Sequence, residues 1–115
     1  KWTLKESFLH LIDTERIFTH RALWIARGET TPLAGFDQDV FVPVSAANDR
    51  TGESLLEEYR TVRAASISLF KNLPKTAWER TGISSGGRLS VRAAAYIIAG
   101  HELHHIAFFK NKYQK

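Results

Sequence analysis

The chain has 115 residues, of which 43% are hydrophobic and 24% are charged, and these values are typical of one globular domain. It contains no cysteine, which excludes a disulfide framework, a cysteine-ligated zinc site, an iron–sulfur cluster and a thiol nucleophile of the protein's own. We therefore predict a single domain over residues 1–115 and expect any metal ion to be held by nitrogen and oxygen atoms.

The net charge of +4 arises in the second half of the chain. The basic residues form no run of five and do not alternate with aromatic residues, so the sequence does not favour a nucleic-acid partner. The longest apolar run, residues 93–100, is far shorter than the roughly 20 residues of a membrane-spanning helix. The first residues lack the pattern of a secretory signal, so we expect a cytoplasmic protein without membrane association.

A long first helix is predicted to begin after Thr3 and to reach Arg27. Thr3 and Glu6 have the spacing of a capping box, and Gly28 can adopt the left-handed conformation that ends a helix. The apolar residues of this helix form one stripe, which comprises Leu4, Phe8, Leu11, Phe18, Ala22 and Ile25. Glu15 falls inside the stripe, so we expect a carboxylate among the residues that face the core.

The next segment, residues 29–52, is polar and contains two prolines, and it is longer than most connections in a compact domain. Ser54 and Glu57 form a second capping box, which predicts a helix that Pro74 ends. The predicted stripe of this helix comprises Leu55, Tyr59, Val62, Ser66, Leu69 and Leu73. A connection as long as 29–52 is typical of a functional or mobile loop.

A short helical turn is expected at residues 76–80, and the glycine-rich stretch 81–87 leads to Ser90, which is predicted to cap the last helix. No segment shows the apolar–polar alternation of a strand. The predicted fold is therefore all-α: an antiparallel up-and-down bundle of three long helices and one short helix.

The last helix places two histidines in its predicted core seam, which comprises Val91, Ala94, Ile98, His101, His105 and Phe108. Residues four apart lie on one helical face with Cβ atoms about 5 to 6 Å apart, so His101 and His105 can bind one metal ion. His104 points away from the seam. Two core histidines satisfied by hydrogen bonds explain the pair equally well, and a third ligand is needed to decide.

Only the first helix offers further histidines, His10 and His20. On an ideal helical wheel His20 lies roughly 160° from Leu4, whereas His10 lies nearer the apolar stripe. His10 is therefore the better candidate for a third ligand, and His20 is expected to be exposed to solvent.

The sequence resembles the DinB/YfiT-like superfamily of metal-binding four-helix bundles, which includes metal-dependent hydrolases and low-molecular-weight-thiol S-transferases. The segments that carry the resemblance are WT at 2–3, FLHLIDTE at 8–15, RALWIARG at 21–28, GFDQD at 35–39 and GHELHH at 100–105. Their order along the chain and their agreement with the core seams make the combination more specific than any one segment.

The resemblance implies that His10, His101 and His105 bind one divalent metal ion, for which zinc and nickel are the expected identities. It also implies a metal-dependent hydrolase or thiol S-transferase that acts on a small molecule, such as a low-molecular-weight thiol. Three nitrogen ligands leave an open position at which the ion can activate water or a thiolate.

Three polar residues on or near inward faces are candidates for catalysis: Glu15, Tyr59 and Arg63. The alternative for Glu15 is a core carboxylate paired with an arginine. The alternative for Tyr59 and Arg63 is ordinary packing of amphipathic side chains. The sequence alone favours these structural interpretations over catalysis for all three residues.

Two other functions fit the same residues. Residues 101–105 also satisfy the H-E-x-x-H pattern of metalloproteases, in which Glu102 would be the general base, but a third ligand downstream and a sheet edge for the peptide are both lacking in the sequence. A third possibility is a non-catalytic helical binding or assembly module in which the metal ion only joins helices.

Members of the resembled family normally have one more long helix before the Trp2–Thr3 segment. A bundle without that helix leaves an apolar face uncovered. An upstream segment or a partner chain would cover that face, and we expect a homodimer formed through helix faces.

Overall fold

The computed structural model describes the backbone of residues 1–113 and the side chains of residues 1–104. Three long helices and one short helix form its framework: α1 (Leu4–Ala26), α2 (Gln38–Phe41), α3 (Gly52–Lys71) and α4 (Val91–Tyr113). The predicted all-α bundle is confirmed. Within residues 1–113, no helix combines the length and the apolarity needed to cross a bilayer.

Both ends of α1 form as the sequence predicts. The Thr3 hydroxyl accepts a hydrogen bond from the Glu6 backbone N–H at 3.1 Å, and the Glu6 carboxylate accepts one from the Thr3 N–H at 2.9 Å. Gly28 has φ 86°, a conformation that costs glycine little, and it follows the C-cap Arg27. The capping box and the glycine stop are therefore confirmed.

The start of α3 differs from the prediction. Thr51, not Ser54, is the N-cap, and its hydroxyl accepts a hydrogen bond from the Ser54 N–H at 3.0 Å. The Ser54 hydroxyl instead accepts hydrogen bonds from the Arg50 guanidinium. Thr51 and Ser54 are both hydroxyl residues that can cap a helix. Because the Ser54 hydroxyl is bound by Arg50, Thr51 serves as the cap.

The glycine-rich stretch forms a hairpin, so the prediction of no strands was wrong. Strands β1 (Thr81–Ser84) and β2 (Gly87–Ser90) pair antiparallel through a two-residue turn. Ser85 and Gly86 have φ 53° and 78°, and two successive positive φ angles are typical of the type I′ turn that suits hairpins. Only four residues long, each strand is too short to show a clear alternation in the sequence.

The helices pack with α1 between α3 and α4. Antiparallel packing, as predicted, relates α4 to α1, because the end of α1 packs against Val91 and Ala94 at the start of α4, whereas His10 near the start of α1 meets His101 in the middle of α4. In contrast, α1 and α3 run in the same direction, so the order of these two helices is not up-and-down. Residues 27–51 carry the chain back to the other end of the bundle, as in bundles with a crossover connection.

Two apolar clusters form the core, one at each end of α1. The first comprises Leu9, Ile12, Ala47, Leu55 and Val62, and the second comprises Ala22, Ile25, Ala26, Ala77, Leu89, Val91 and Ala94. Ala47 belongs to the crossover segment and Leu89 to the hairpin, so both connections are held against α1. The segment predicted to be a functional or mobile loop is thus anchored near its end, at Ala47.

Candidate metal centre

Two of the predicted metal ligands meet across the interface of α1 and α4. The ring centres of His10 and His101 are 5.1 Å apart, and the ring planes are nearly perpendicular, at 85°. His10 is 4% exposed, and its ring also contacts Trp2, with the two ring centres 4.9 Å apart. The helical faces identified from the sequence therefore bring both imidazoles to one place.

The remaining histidines are distributed as follows. The side chain of His105, the predicted third ligand, lies outside the described residues. His20 is exposed on α1, as predicted, where its ring contacts Trp24 at 5.8 Å. His104 is exposed on α4, in agreement with its predicted position off the seam.

The residues present are compatible with a metal ion. Two imidazoles that bind one tetrahedral ion through nitrogen place their ring centres about 5 Å apart, which the separation of His10 and His101 matches. Among the side chains of residues 1–104, no group of three or more potential ligands is close enough to hold an ion. A complete site therefore requires His105, and the three-histidine ligand set stays a prediction.

A partly buried ion-pair network lies beside the histidines and contains all three candidate catalytic residues. Arg63 of α3 donates from Nε and Nη2 to the two carboxylate oxygens of Glu15, at 3.0 and 2.7 Å. The same Nη2 donates to Glu102 of α4, and the Tyr59 hydroxyl donates to Glu102 at 3.1 Å. We call these four residues the Arg63 bridge. The pairing of Glu15 with an arginine, which the sequence suggested, is present.

The electrostatics of the Arg63 bridge follow from burial and pairing. Glu15 is only 5% exposed, and its hydrogen bond raises the pKa of Arg63, so the guanidinium stays charged. Burial raises the pKa of Tyr59, and its hydrogen bond to Glu102 adds to this effect, so the phenol keeps its proton at neutral pH. Tyr59 is therefore a hydrogen-bond donor.

Glu102 is the residue whose role the sequence did not reveal. Its only predicted role was that of the general base in a metalloprotease pattern. In the structure its carboxylate accepts hydrogen bonds from both Arg63 and Tyr59, so it is part of a structural network between α3 and α4. The role of Glu102 depends on its position on the side of α4 that faces α3. The sequence does not show which side that is, because it depends on how the helices pack.

One polar group near the histidines lacks a partner. Thr14 lies one turn after His10 on α1 and is 5% exposed, and its hydroxyl has no hydrogen-bond partner among the described residues. A buried hydroxyl without a partner costs free energy, about 1 to 3 kcal/mol. Thr14 therefore adds a polar but unsatisfied atom to the interior beside His10.

The buried Arg21 of α1 binds both the crossover segment and the turn of the hairpin. Its Nη2 group donates to the carbonyl of Ala34 at 3.2 Å and to the Ser85 hydroxyl at 3.4 Å. The guanidinium lies over the Phe18 ring at 4.8 Å and near the Phe36 ring at 5.7 Å. Burial lowers the pKa of Arg21, because no carboxylate among the described residues pairs with it.

An open groove of about 590 Å³ runs between α3 and α4. Glu15, Arg63 and Glu102 form its polar part, and apolar side chains such as Phe70 and Ile98 line the rest. Nearby, Ile67 of α3 is 56% exposed and Leu103 of α4 is 67% exposed. These exposed side chains give the groove an apolar rim.

The comparison with protein families agrees with this architecture. A family model described as the DinB superfamily matches residues 1–109. The chain belongs to the DinB superfamily. The resemblance drawn from the sequence is thus confirmed, and the match includes His10, His101 and His105. Searches of curated proteins and of solved structures gave no significant match.

Proposed function

We propose that this DinB-superfamily protein binds one divalent metal ion, zinc or nickel, through His10, His101 and His105. The observation that carries the proposal is the contact of the His10 and His101 rings, which lie 5.1 Å apart between two helices. Inward-facing ligands from two different helices are typical of metal centres in helical bundles. His105 lies one helical turn after His101, on the same face of α4.

We propose further that the bound ion serves catalysis on a small molecule, by hydrolysis or by transfer of a low-molecular-weight thiol. A divalent ion with three nitrogen ligands supplies Lewis acidity that activates water or a thiol. The chain itself supplies a charged Arg63 in the groove between α3 and α4, and a protonated Tyr59 that donates to Glu102 at the groove's polar part. The Nη1 group of Arg63, which makes no hydrogen bond to the two carboxylates, can donate to a substrate that enters from the groove.

The metalloprotease alternative receives less support from the geometry. A general base must accept a proton during the reaction, whereas the Glu102 carboxylate already accepts hydrogen bonds from Arg63 and Tyr59. The hairpin β1–β2 is the only sheet among the described residues. A peptide-binding sheet edge next to the histidines is therefore lacking in that part of the chain.

Elemental analysis tests the metal proposal directly. Protein purified without a metal-affinity step is expected to contain one equivalent of zinc or nickel, and His10→Ala and His101→Ala variants are expected to lose it. His20→Ala on α1 and His104→Ala on α4 are the matched controls, because both residues are exposed histidines on the same helices. A triple variant of His10, His101 and His105 that retains the metal would disprove the proposal.

Activity assays separate a catalyst from a structural metal site. Metal-loaded protein, metal-free protein and the His101→Ala variant are compared for thiol transfer to electrophiles and for ester and amide hydrolysis. A catalytic ion is expected to be required for turnover, while much of the helical signal remains after chelation, because the two apolar clusters support the fold. Unfolding on chelation without any turnover would favour the non-catalytic module.

The homodimer and the cytoplasmic location expected from the sequence stay predictions. Exposed apolar residues on α3 and α4, among them Ile67, Tyr96 and Leu103, support self-association. Light scattering at micromolar concentration is expected to give twice the mass of the chain. A clean monomer at that concentration would contradict the homodimer.

A further inference from the structure

The Arg63 bridge connects all three long helices at the level of the histidines. Arg63 belongs to α3, whereas its two carboxylate partners belong to α1 and α4, the helices that carry His10 and His101. We infer that Arg63 is a positioning residue of the metal centre, which holds α1 and α4 at the spacing that two imidazoles need to share one ion. This inference rests on the proposed metal binding.

The charges explain why Arg63 is needed at this position. Glu15 and Glu102 approach the same Nη2 atom, so the two carboxylates lie close together across the interface of α1 and α4. Neither carboxylate has another cationic partner among the described residues. Without Arg63, two like charges would face each other in a partly buried place and would push the two helices apart.

The carboxylates act through the helices and do not contact the metal directly. On an ideal helical wheel Glu15 lies about 140° from His10, and Glu102 lies about 100° from His101. Both carboxylates are therefore turned toward α3 and away from the pair of rings. What they control is the spacing and register of α1 and α4, on which the 5.1 Å ring contact depends.

A second ion pair offers a matched control. Arg16 of α1 donates to Glu58 of α3 at 3.1 Å, and this pair also joins α1 to α3 but does not involve α4. Arg16→Met removes a guanidinium from the same pair of helices without touching the helix that carries His101. A general loss of packing between α1 and α3 would affect metal binding in both variants, whereas loss of the bridge affects only Arg63→Met.

The experiment measures the affinity for Zn²⁺ and Ni²⁺ by competition with a chromophoric chelator, at a temperature where circular dichroism shows every variant to be folded. Arg63→Met is expected to weaken binding about 10- to 100-fold, the range typical for residues that support metal ligands. Arg63→Lys keeps the charge, but its ammonium group cannot hydrogen-bond to both carboxylates as the planar guanidinium does. An intermediate loss of metal affinity is therefore expected. Arg16→Met is expected to bind within about twofold of the unsubstituted protein.

A double variant separates geometry from charge. Glu15, Arg63 and Glu102 together carry a net charge of −1, and Arg63→Met alone changes this charge by one unit. Arg63→Met combined with Glu102→Gln restores the original net charge but not the bridge. Partial recovery of metal binding in the double variant supports the positioning role, because the repulsion between Glu15 and Glu102 is removed while the bridge stays absent. No recovery in the double variant would overturn this repulsion as the reason why Arg63 is needed. Affinity unchanged in Arg63→Met would overturn the positioning role itself.

Hydrogen exchange of the metal-free protein gives a readout that does not depend on the proposed metal. Backbone amides of α4 around residues 98–104 are expected to exchange faster in Arg63→Met than in Arg16→Met. If the unsubstituted protein binds no metal, the proposed function fails, but faster exchange would still show that Arg63 joins the helices. Equal exchange in both variants would overturn the bridge itself. If Arg63→Met does not fold, Arg63→Lys and Tyr59→Phe are compared with Arg16→Met in its place, and smaller increases in the exchange rate are expected.

Discussion

The two halves of α1 both bury apolar side chains, but they differ in the polar groups buried beside them. The first half buries His10, Thr14 and Glu15, whereas the second half buries Ala22 and Ile25 at almost zero exposure among other apolar residues. Both halves belong to one helix with one capping box and one glycine stop. The difference shows that a single helix can provide stability at one end and a polar site at the other.

Burial has a different energetic meaning in each half. Apolar burial stabilises the fold by roughly 25 cal/mol per Å² of surface removed from water. Burial of a polar group costs free energy unless each of its polar atoms forms a hydrogen bond. The Thr14 hydroxyl has no such partner among the described residues. We therefore expect substitutions of apolar residues in the second half to lower stability without changing metal binding, whereas substitutions of unpaired polar residues in the first half are expected to raise stability.

The largest expected effect is in the apolar half. Ile25→Ala removes a fully buried side chain from the cluster around α1 and the hairpin, and it is expected to lower the free energy of unfolding by about 2 to 4 kcal/mol. Urea denaturation measures this change. The metal affinity of the folded variant is expected to be unchanged. A large loss of affinity would show that the apolar half of α1 also determines metal binding.

A close backbone approach gives the second prediction. A Cβ atom added at Gly82 would lie 2.8 Å from the Cγ1 atom of Ile25, so Gly82→Ala is expected to cost about 1 to 3 kcal/mol through overpacking. Combining it with Ile25→Ala makes room for the added methyl group. The double variant is expected to be more stable than the sum of the two single changes predicts, and strict additivity would show that the hairpin is not held by this contact.

In the polar half, a substitution is expected to stabilise the protein. Thr14→Val replaces the unpaired hydroxyl by a methyl group of similar shape, which is expected to raise the free energy of unfolding by about 1 kcal/mol. The control is Thr19→Val on the same helix, because the Thr19 hydroxyl donates to the Glu15 carbonyl and its loss brings no gain. A Thr14→Val protein that is less stable than the original would indicate that the hydroxyl has a partner.

The smallest expected effect depends on pH. Burial, and secondarily the charge of Glu58, raises the pKa of Asp13 in the folded state. The protonated form is therefore favoured by folding, so this contribution to stability is present at low pH and is lost as the pH rises through the folded-state pKa. Asp13→Asn is expected to stabilise the protein at pH 7 by less than about 0.5 kcal/mol.

Thermal denaturation at several pH values checks the Asp13 prediction. The advantage of the asparagine variant is expected to disappear below about pH 3, where the carboxyl group is protonated in the folded and unfolded states alike. An advantage that persists in acid would assign the effect to packing and not to charge.

The sequence predicts the local features of this fold better than its three-dimensional arrangement. Caps and stops depend on neighbouring residues, so Thr3, Gly28 and Ser90 could be identified directly. The hairpin was missed because its turn residues, Ser85 and Gly86, join strands of only four residues. The parallel direction of α1 and α3 follows from how residues 27–51 cross the bundle, which no periodicity encodes.

The candidate site shows the same division. The faces that carry His10 and His101 follow from helical spacing, and the structure brings them together. The Arg63 bridge required the relative register of three helices, since Glu102 and Arg63 are 39 residues apart and Glu15 and Arg63 are 48 apart. Helical wheels give the side on which a residue lies but not its partner on the next helix.

The crossover of residues 27–51 also has a consequence for the rate of folding. Because α1 and α3 are parallel, their contacts join residues far apart in the chain, such as Arg16 and Glu58 with a separation of 42. Helical bundles with short turns fold fast because their contacts are local, and distant contacts slow folding through the entropy of closing long loops. This protein is therefore expected to fold more slowly than an up-and-down bundle of the same length, with the docking of α1 onto α3 and α4 as its rate-limiting event.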